Sequence, residues 1–158
     1  MMVRVGGRLM LIKALSLHEP FASLIAQRSK TIETRTWPTK HRGPLLICAA
    51  KKNDRHVKDV IANFQSSRFC QAHWCRVPLL DEDFEPQLGK AVAICNVVDC
   101  RPLEGRWSLE SCVPNTNGLY GMFLENIKAI EPFDVKGGQR FFYVEVASKE
   151  ILDDFEDV

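Results

Sequence analysis

A chain of 158 residues with 46% apolar and 26% charged side chains is long enough for one domain that buries roughly 70% of its unfolded surface without staples. That balance excludes a wholly disordered chain, and no apolar run approaches the roughly 20 residues of a membrane helix. The net charge of +1 excludes a uniformly basic surface, but Arg28 to Arg55 holds eight Lys/Arg against two Asp/Glu, a local excess that steers an anionic partner to one face.

Met1–Leu11 carries two arginines and no sustained apolar core, so it does not read as a convincing secretory signal. Residues 1–10 read as a ragged N-terminus and 11–158 as a single domain. Six cysteines occur, two of them inside the apolar runs around Cys48 and Cys95, where a thiol packs as a small hydrophobe. Reduced thiols in a cytoplasmic protein are the expectation. The spacings Cys70-x4-Cys75 (around His73) and Cys95-x4-Cys100 are looser than the paired two-residue spacings of zinc sites. No metal or other cofactor is expected.

In chain order, Leu11–Leu17 alternates and predicts a first strand. Ser16 and Glu19 stand at capping-box spacing, Pro20 suits a first helical turn, and Phe21, Leu24 and Ile25 recur at helical spacing. A short helix over Glu19–Gln27 follows. Lys30–Trp37, rich in Thr, Ile and Trp, predicts a strand that Pro38 ends. Thr39–Gly43 is a basic loop, and Pro44–Ala50 an apolar strand buried on both faces. Asn53 or Asp54 caps a helix with the stripe Val57, Val60, Ile61 and Phe64. Phe69–Gln87 is irregular, a lid-like excursion. Lys90–Asp99 is a core strand, Arg101–Asn117 a long loop anchored by Trp107. Tyr120–Ile130 and Phe141–Ala147 are strands on either side of a Gly137-Gly138 turn. About five strands with two early helices give an α+β, mostly β domain.

The stretch Ala14-Leu15-Ser16-Leu17-His18-Glu19-Pro20-Phe21-Ala22, one helix, and then Lys30-Thr31-Ile32-Glu33-Thr34-Arg35 resembles the ASCH domain family of the PUA-like superfamily. That family carries Q-P-(aromatic)-A at the first helix and G-x-K-x-x-E-x-R on the next strand. Arg42-Gly43-Pro44-Leu45-Leu46-Ile47, Tyr120 to Asn126 and Val135 to Gln139 extend the likeness. The resemblance implies a PUA-like small β-barrel with helices packed against its ends, holding RNA or a modified nucleotide in a cleft. Three positions depart from the pattern: Arg28 stands where glycine is usual, Glu19 where glutamine is, and His18 where arginine is common.

An ideal strand puts Thr31, Glu33, Arg35 and Trp37 on one face and Lys30 on the other. Arg35 is suited to clamp a phosphate or carboxylate through two parallel bonds. Trp37 offers a stacking platform, Lys40 and Arg42 offer phosphate contacts, and Asn126 and Gln139 offer amides for a base edge. The plain structural alternative is an edge ion pair between Glu33 and Arg35 with Trp37 in the core.

Two further readings stand beside nucleotide binding. One branch of the family hydrolyses the acetyl amide of acetylated cytidine with this lysine, a threonine three residues on and a distant glutamate. Lys30 matches the lysine, Glu33 occupies the threonine position, and Glu125 is the candidate for the glutamate. With a lowered pKa, Lys30 becomes a base, and Glu33 is a second acid/base candidate. Other members resemble metal-assisted ribonucleases, for which this sequence shows no carboxylate cluster. The other reading is a protein-interaction domain with zinc in Cys70–Cys100. Of the four histidines only His18 is near the motif, as a helix-entry contact.

Overall fold

A computed structural model describes residues 9–51, 84–113 and 115–147. The helix expected after Asn53 lies outside the described residues, as do His56, Cys70, His73, Trp74, Cys75 and most of the Phe69–Gln87 excursion.

Six strands and two short helices make up the described part. In order they are β1 (Leu9–Leu17), α1 (Phe21–Ala26), β2 (Ile32–Arg35), β3 (Gly43–Ala49), β4 (Lys90–Pro102), a single 3-10 turn at Gly105–Trp107, α2 (Ser108–Ser111), β5 (Tyr120–Asp134) and β6 (Phe141–Ala147). The strands form one mixed sheet in the order β2-β5-β4-β3-β1-β6. Only β1 and β3 run parallel, Ala14 facing Leu46 and Leu17 facing Ala49.

Alternation along the central strands divides the core in two. Leu45, Ile47 and Ala49 of β3 join Leu15, Leu17 and Ile25 on the face that α1 covers. Leu46 and Cys48 point the other way, to Ile12, Ala14, Ile94 and Val146. A strand buried on both faces reads as a continuous apolar run, as the sequence of β3 does. Burial pushes the thiols of Cys48 and Cys95 up to about 12, so both are inert packing groups.

The expected barrel does not close. β2 is four residues long and pairs with β5 only from Tyr120 to Phe123, too short to bridge the sheet's two ends. Three register shifts bend β4 against β5, as bulges do. The far half of β5 is thereby left across a gap of about 560 Å³ from the end of β6, lined by Lys128–Phe133 and Glu145–Ala147. Asn126 has φ +51 and falls at one of these shifts; asparagine tolerates the left-handed region better than most residues.

Candidate functional site

The site grows out of the β1–α1–β2 unit. Ser16 lies within β1, so the expected Ser16/Glu19 box does not form, and no side chain of the cap residue Pro20 serves the helix. Glu19 caps α1 alone. Its Oε1 accepts the Ser23 amide at 2.9 Å, and its Oε2 accepts the Ser23 hydroxyl at 2.6 Å and the Gln87 amide at 3.1 Å. The helix ends in a Schellman turn: the Arg28 amide donates to Ile25 and the Ser29 amide to Leu24. Arg28 itself sits at φ +66, the conformation glycine serves best. The chain has kept the turn and lost the glycine.

That turn aims Lys30 inward. The amides of Ser29 and Lys30 both donate to Leu24, and β2 starts only at Ile32. Strand alternation therefore does not reach Lys30, and its ammonium joins Glu33 instead of lying on the opposite face. Lys30 is 1% exposed. Its Nζ donates to the Ser111 carbonyl, stands 3.7 Å from Glu33 Oε1 and lies 5.4 Å from the centre of the Phe21 ring. Burial holds its pKa below the usual 10.5, with Glu33 opposing the shift.

Glu33 is buried as well. Its Oε1 accepts the Thr34 amide at 2.8 Å, and its Oε2 is 3.7 Å from Arg35 Nη2. Arg35 Nη2 donates to the Ser16 carbonyl at 2.9 Å, while its buried Nε–H meets no acceptor among the described residues. The segment after β4 closes the site from above. Trp107 packs edge-on against Phe123 at 5.2 Å, the Glu110 carbonyl accepts the Thr31 amide, and the Cys112 thiol donates to the Ser29 carbonyl at 3.7 Å. Between these walls lies a cleft of about 250 Å³ bordered by His18, Phe21, Lys30, Glu33, Thr34 and Arg35.

The ASCH domain model matches residues 15–149 of the sequence. The chain belongs to the ASCH domain family. It is also 39% identical over 56 residues to Activating signal cointegrator 1 of Homo sapiens, and equally to that of Mus musculus. The match takes in 34% of this chain and 10% of each relative, so it reaches about a tenth of their length.

Within this ASCH domain, Lys30, Glu33 and Arg35 meet at the cleft and the other candidates spread outward. Trp37 packs edge-on against Phe141 with ring centres 5.4 Å apart. Lys40 is exposed on its loop. Arg42 bonds the Thr39 and His41 carbonyls and stands 3.6 Å from Asp99. Asn126, Gln139 and Glu125 are exposed and absent from the cleft wall. Sequence reasoning missed the cap role of Glu19, the carbonyls of Ser16 and Ser111, and Arg140, whose guanidinium lies 5.2 Å from the Trp37 ring centre. A backbone carbonyl has no sequence signal; Arg140, next to an aromatic run, had one. Among the described residues no three His, Cys, Asp or Glu side chains gather as a metal-ligand set, and no helix is long and apolar enough to cross a membrane.

Proposed function

We propose that this ASCH domain binds RNA by taking one base or modified nucleoside into the cleft over Lys30, Glu33 and Arg35. The observation that carries the reading is the buried lysine at the cleft floor. A buried ion pair is seldom worth its desolvation as a stabiliser, so an ammonium enclosed beside a cleft points to a ligand. The volume suits a single base; pockets for larger organic ligands run to about 300–1,000 Å³. Glu33 accepts from a base edge, and Arg35, whose Nε–H meets no acceptor among the described residues, takes an acceptor or a phosphate. Lys40 adds phosphate attraction from its loop; Arg42, already committed to its own loop and to Asp99, adds less.

Calorimetric titration with nucleosides, acetylated cytidine among them, and with single-stranded RNA tests this. Arg35→Ala weakens binding at least about tenfold, the scale of one charged hydrogen bond. Equal affinity of variant and wild type, or no binding of any of these ligands, defeats the reading.

The lowered pKa of Lys30 favours a second reading, hydrolysis in the same cleft. For acetylated cytidine, water adds to the acetyl carbonyl as neutral Lys30 takes its proton. The C–N bond then breaks, the proton passes to the leaving nitrogen, and acetic acid and cytidine depart. Chromatography of acetylated cytidine and of RNA after incubation with wild type and Lys30→Ala decides it. Turnover lost in the variant supports a hydrolase, and no turnover by wild type leaves the binding module.

A further inference from the structure

Outside the cleft, one face of the β1–β6 pair carries an aromatic and cationic strip that the site does not use. Leu15 faces Phe141 and Lys13 faces Tyr143 across the antiparallel ladder, so these side chains share a face. Leu15 is covered by the core, and the face reaches solvent at Lys13 and Tyr143, the latter 62% exposed. Contacts run along it without a break. Arg35 lies 6.0 Å and Arg140 5.2 Å from the Trp37 ring centre. Trp37 meets Phe141 edge-on, and Lys13 Nζ stands 5.2 Å from Phe141 and 5.9 Å from Tyr143.

Two features separate this strip from an ordinary charged surface. Neither Lys13 nor Arg140 pairs with a carboxylate among the described residues, in contrast to Arg42 and Arg101, which share Asp99. Their positive field is therefore not neutralised locally. The charge of Lys13 is felt at His41, whose pKa is lowered by burial first and then by Lys13 and Arg42, against the support of its bond to the Pro44 carbonyl. The strip is also continuous with the cleft, since Arg35 borders both.

We propose that the strip Arg140–Trp37–Phe141–Lys13–Tyr143 is a track for single-stranded RNA leaving the cleft, with phosphates on Lys13 and Arg140 and bases against the exposed Tyr143 ring and the open edges of the half-buried Trp37 and Phe141 rings. This rests on the nucleotide-binding reading of the cleft and extends it from one nucleoside to a strand. Cations interspersed among rings suit phosphates interspersed among bases, the combination that sequence-tolerant single-strand binders use. Both cations are long side chains held over rings, so swinging either to a phosphate uncovers a ring for stacking. The track ends where Glu145 stands opposite Leu11 and the charge reverses.

The test compares wild type, the double variant Lys13→Glu/Arg140→Glu and Tyr143→Ala. Each is titrated with the tightest nucleoside and with a single-stranded RNA of about eight nucleotides, at several salt concentrations. The double variant loses at least about tenfold in RNA affinity, and the slope of log affinity against log salt shrinks by about 1.4, two phosphates at about 0.7 each. Tyr143→Ala loses about tenfold with the slope unchanged. Nucleoside binding and thermal melting stay at wild-type values in both. Unchanged RNA affinity and slope in the double variant, with nucleoside binding intact, overturn the track and leave the cleft reading standing. A wild type that binds neither ligand overturns both. Polyglutamate that displaces the RNA as well as a second RNA does overturns the track in favour of an acidic protein segment.

Discussion

Glu19→Gln is the sharpest probe of the scaffold under the site, because it installs the residue the family pattern prefers. Glu19 is 1% exposed and receives three donors, the Ser23 amide, the Ser23 hydroxyl and the Gln87 amide. A carboxylate satisfies all three; glutamine has one acceptor oxygen and two N–H donors. With the oxygen at the Oε1 position, the new amino group faces the Gln87 amide. With the oxygen at the Oε2 position, it faces the Ser23 amide. Only the hydroxyl can turn round to accept. Either way one backbone N–H loses its partner and meets another donor, while the second keeps a neutral bond in place of a charged one. One lost charged bond costs about 1.5–3 kcal/mol, and relief from burying a charge offsets part of it, leaving a destabilisation of about 2 kcal/mol. For a domain of this size that lowers Tm by about 4–8 °C. Calorimetric melting at neutral pH reads it directly, with Glu19→Asp as a control that keeps the charge and shortens the reach. A glutamine variant that melts at or above wild type would refute the argument.

The remaining expectations concern the turn, the sheet and the buried lysine. Arg28→Gly relieves a left-handed non-glycine residue and stabilises by about 1 kcal/mol, seen as a higher denaturant midpoint with unchanged slope; destabilisation would mean that the arginine side chain contributes more than the turn costs. Gly121→Ala sets a methyl 2.6 Å from Leu103 Cδ2 and 2.9 Å from Ile32 Cγ2, overpacking worth about 1–3 kcal/mol that displaces β2, so melting and nucleoside affinity fall together; a neutral effect on both would show that Leu103 yields freely. Because Lys30 titrates below its unfolded 10.5, the unfolded chain holds one more proton between the folded pKa and 10.5, and stability rises with pH across that window. Lys30→Met removes this rise, and urea midpoints taken over an alkaline series in both proteins check it; the same slope in wild type and variant would assign it to another group.

Much of the fold was legible because the signals are local. The two-faced apolar run of β3, the helical spacing of Phe21, Leu24 and Ile25, and the apolar start of β4 each produced the expected element. What failed depends on partners far along the chain. β2 is half its expected length because its ladder with β5 covers only four residues, and no pattern within Lys30–Trp37 reveals that limit. The open sheet follows from the same shortness together with the shifts between β4 and β5, whose cost and register are set by packing. Lys30 was identified by residue type, yet its orientation depends on a Schellman turn that arginine fills in place of glycine.

The enclosure of Lys30 also explains why the residues of the candidate cleft could be grouped from sequence but their arrangement could not. Glu33 lies three residues away and Arg35 five, so the charged set is written in one short stretch. The groups that make the lysine tolerable in its burial come from elsewhere: the Ser111 carbonyl, 81 residues on, and the ring of Phe21 from the preceding helix. An ammonium held this way gains a hydrogen bond and a ring contact while losing water, and the loss of water outweighs the gains, as the downward direction of its pKa reflects. Folding alone therefore gives little reason to retain a lysine here over a methionine of similar length. The proposed ligand, meeting Lys30 and Glu33 at the cleft floor, would supply that reason. Under that proposal the three side chains already fixed there would act as one preorganised set, ordered before the ligand arrives.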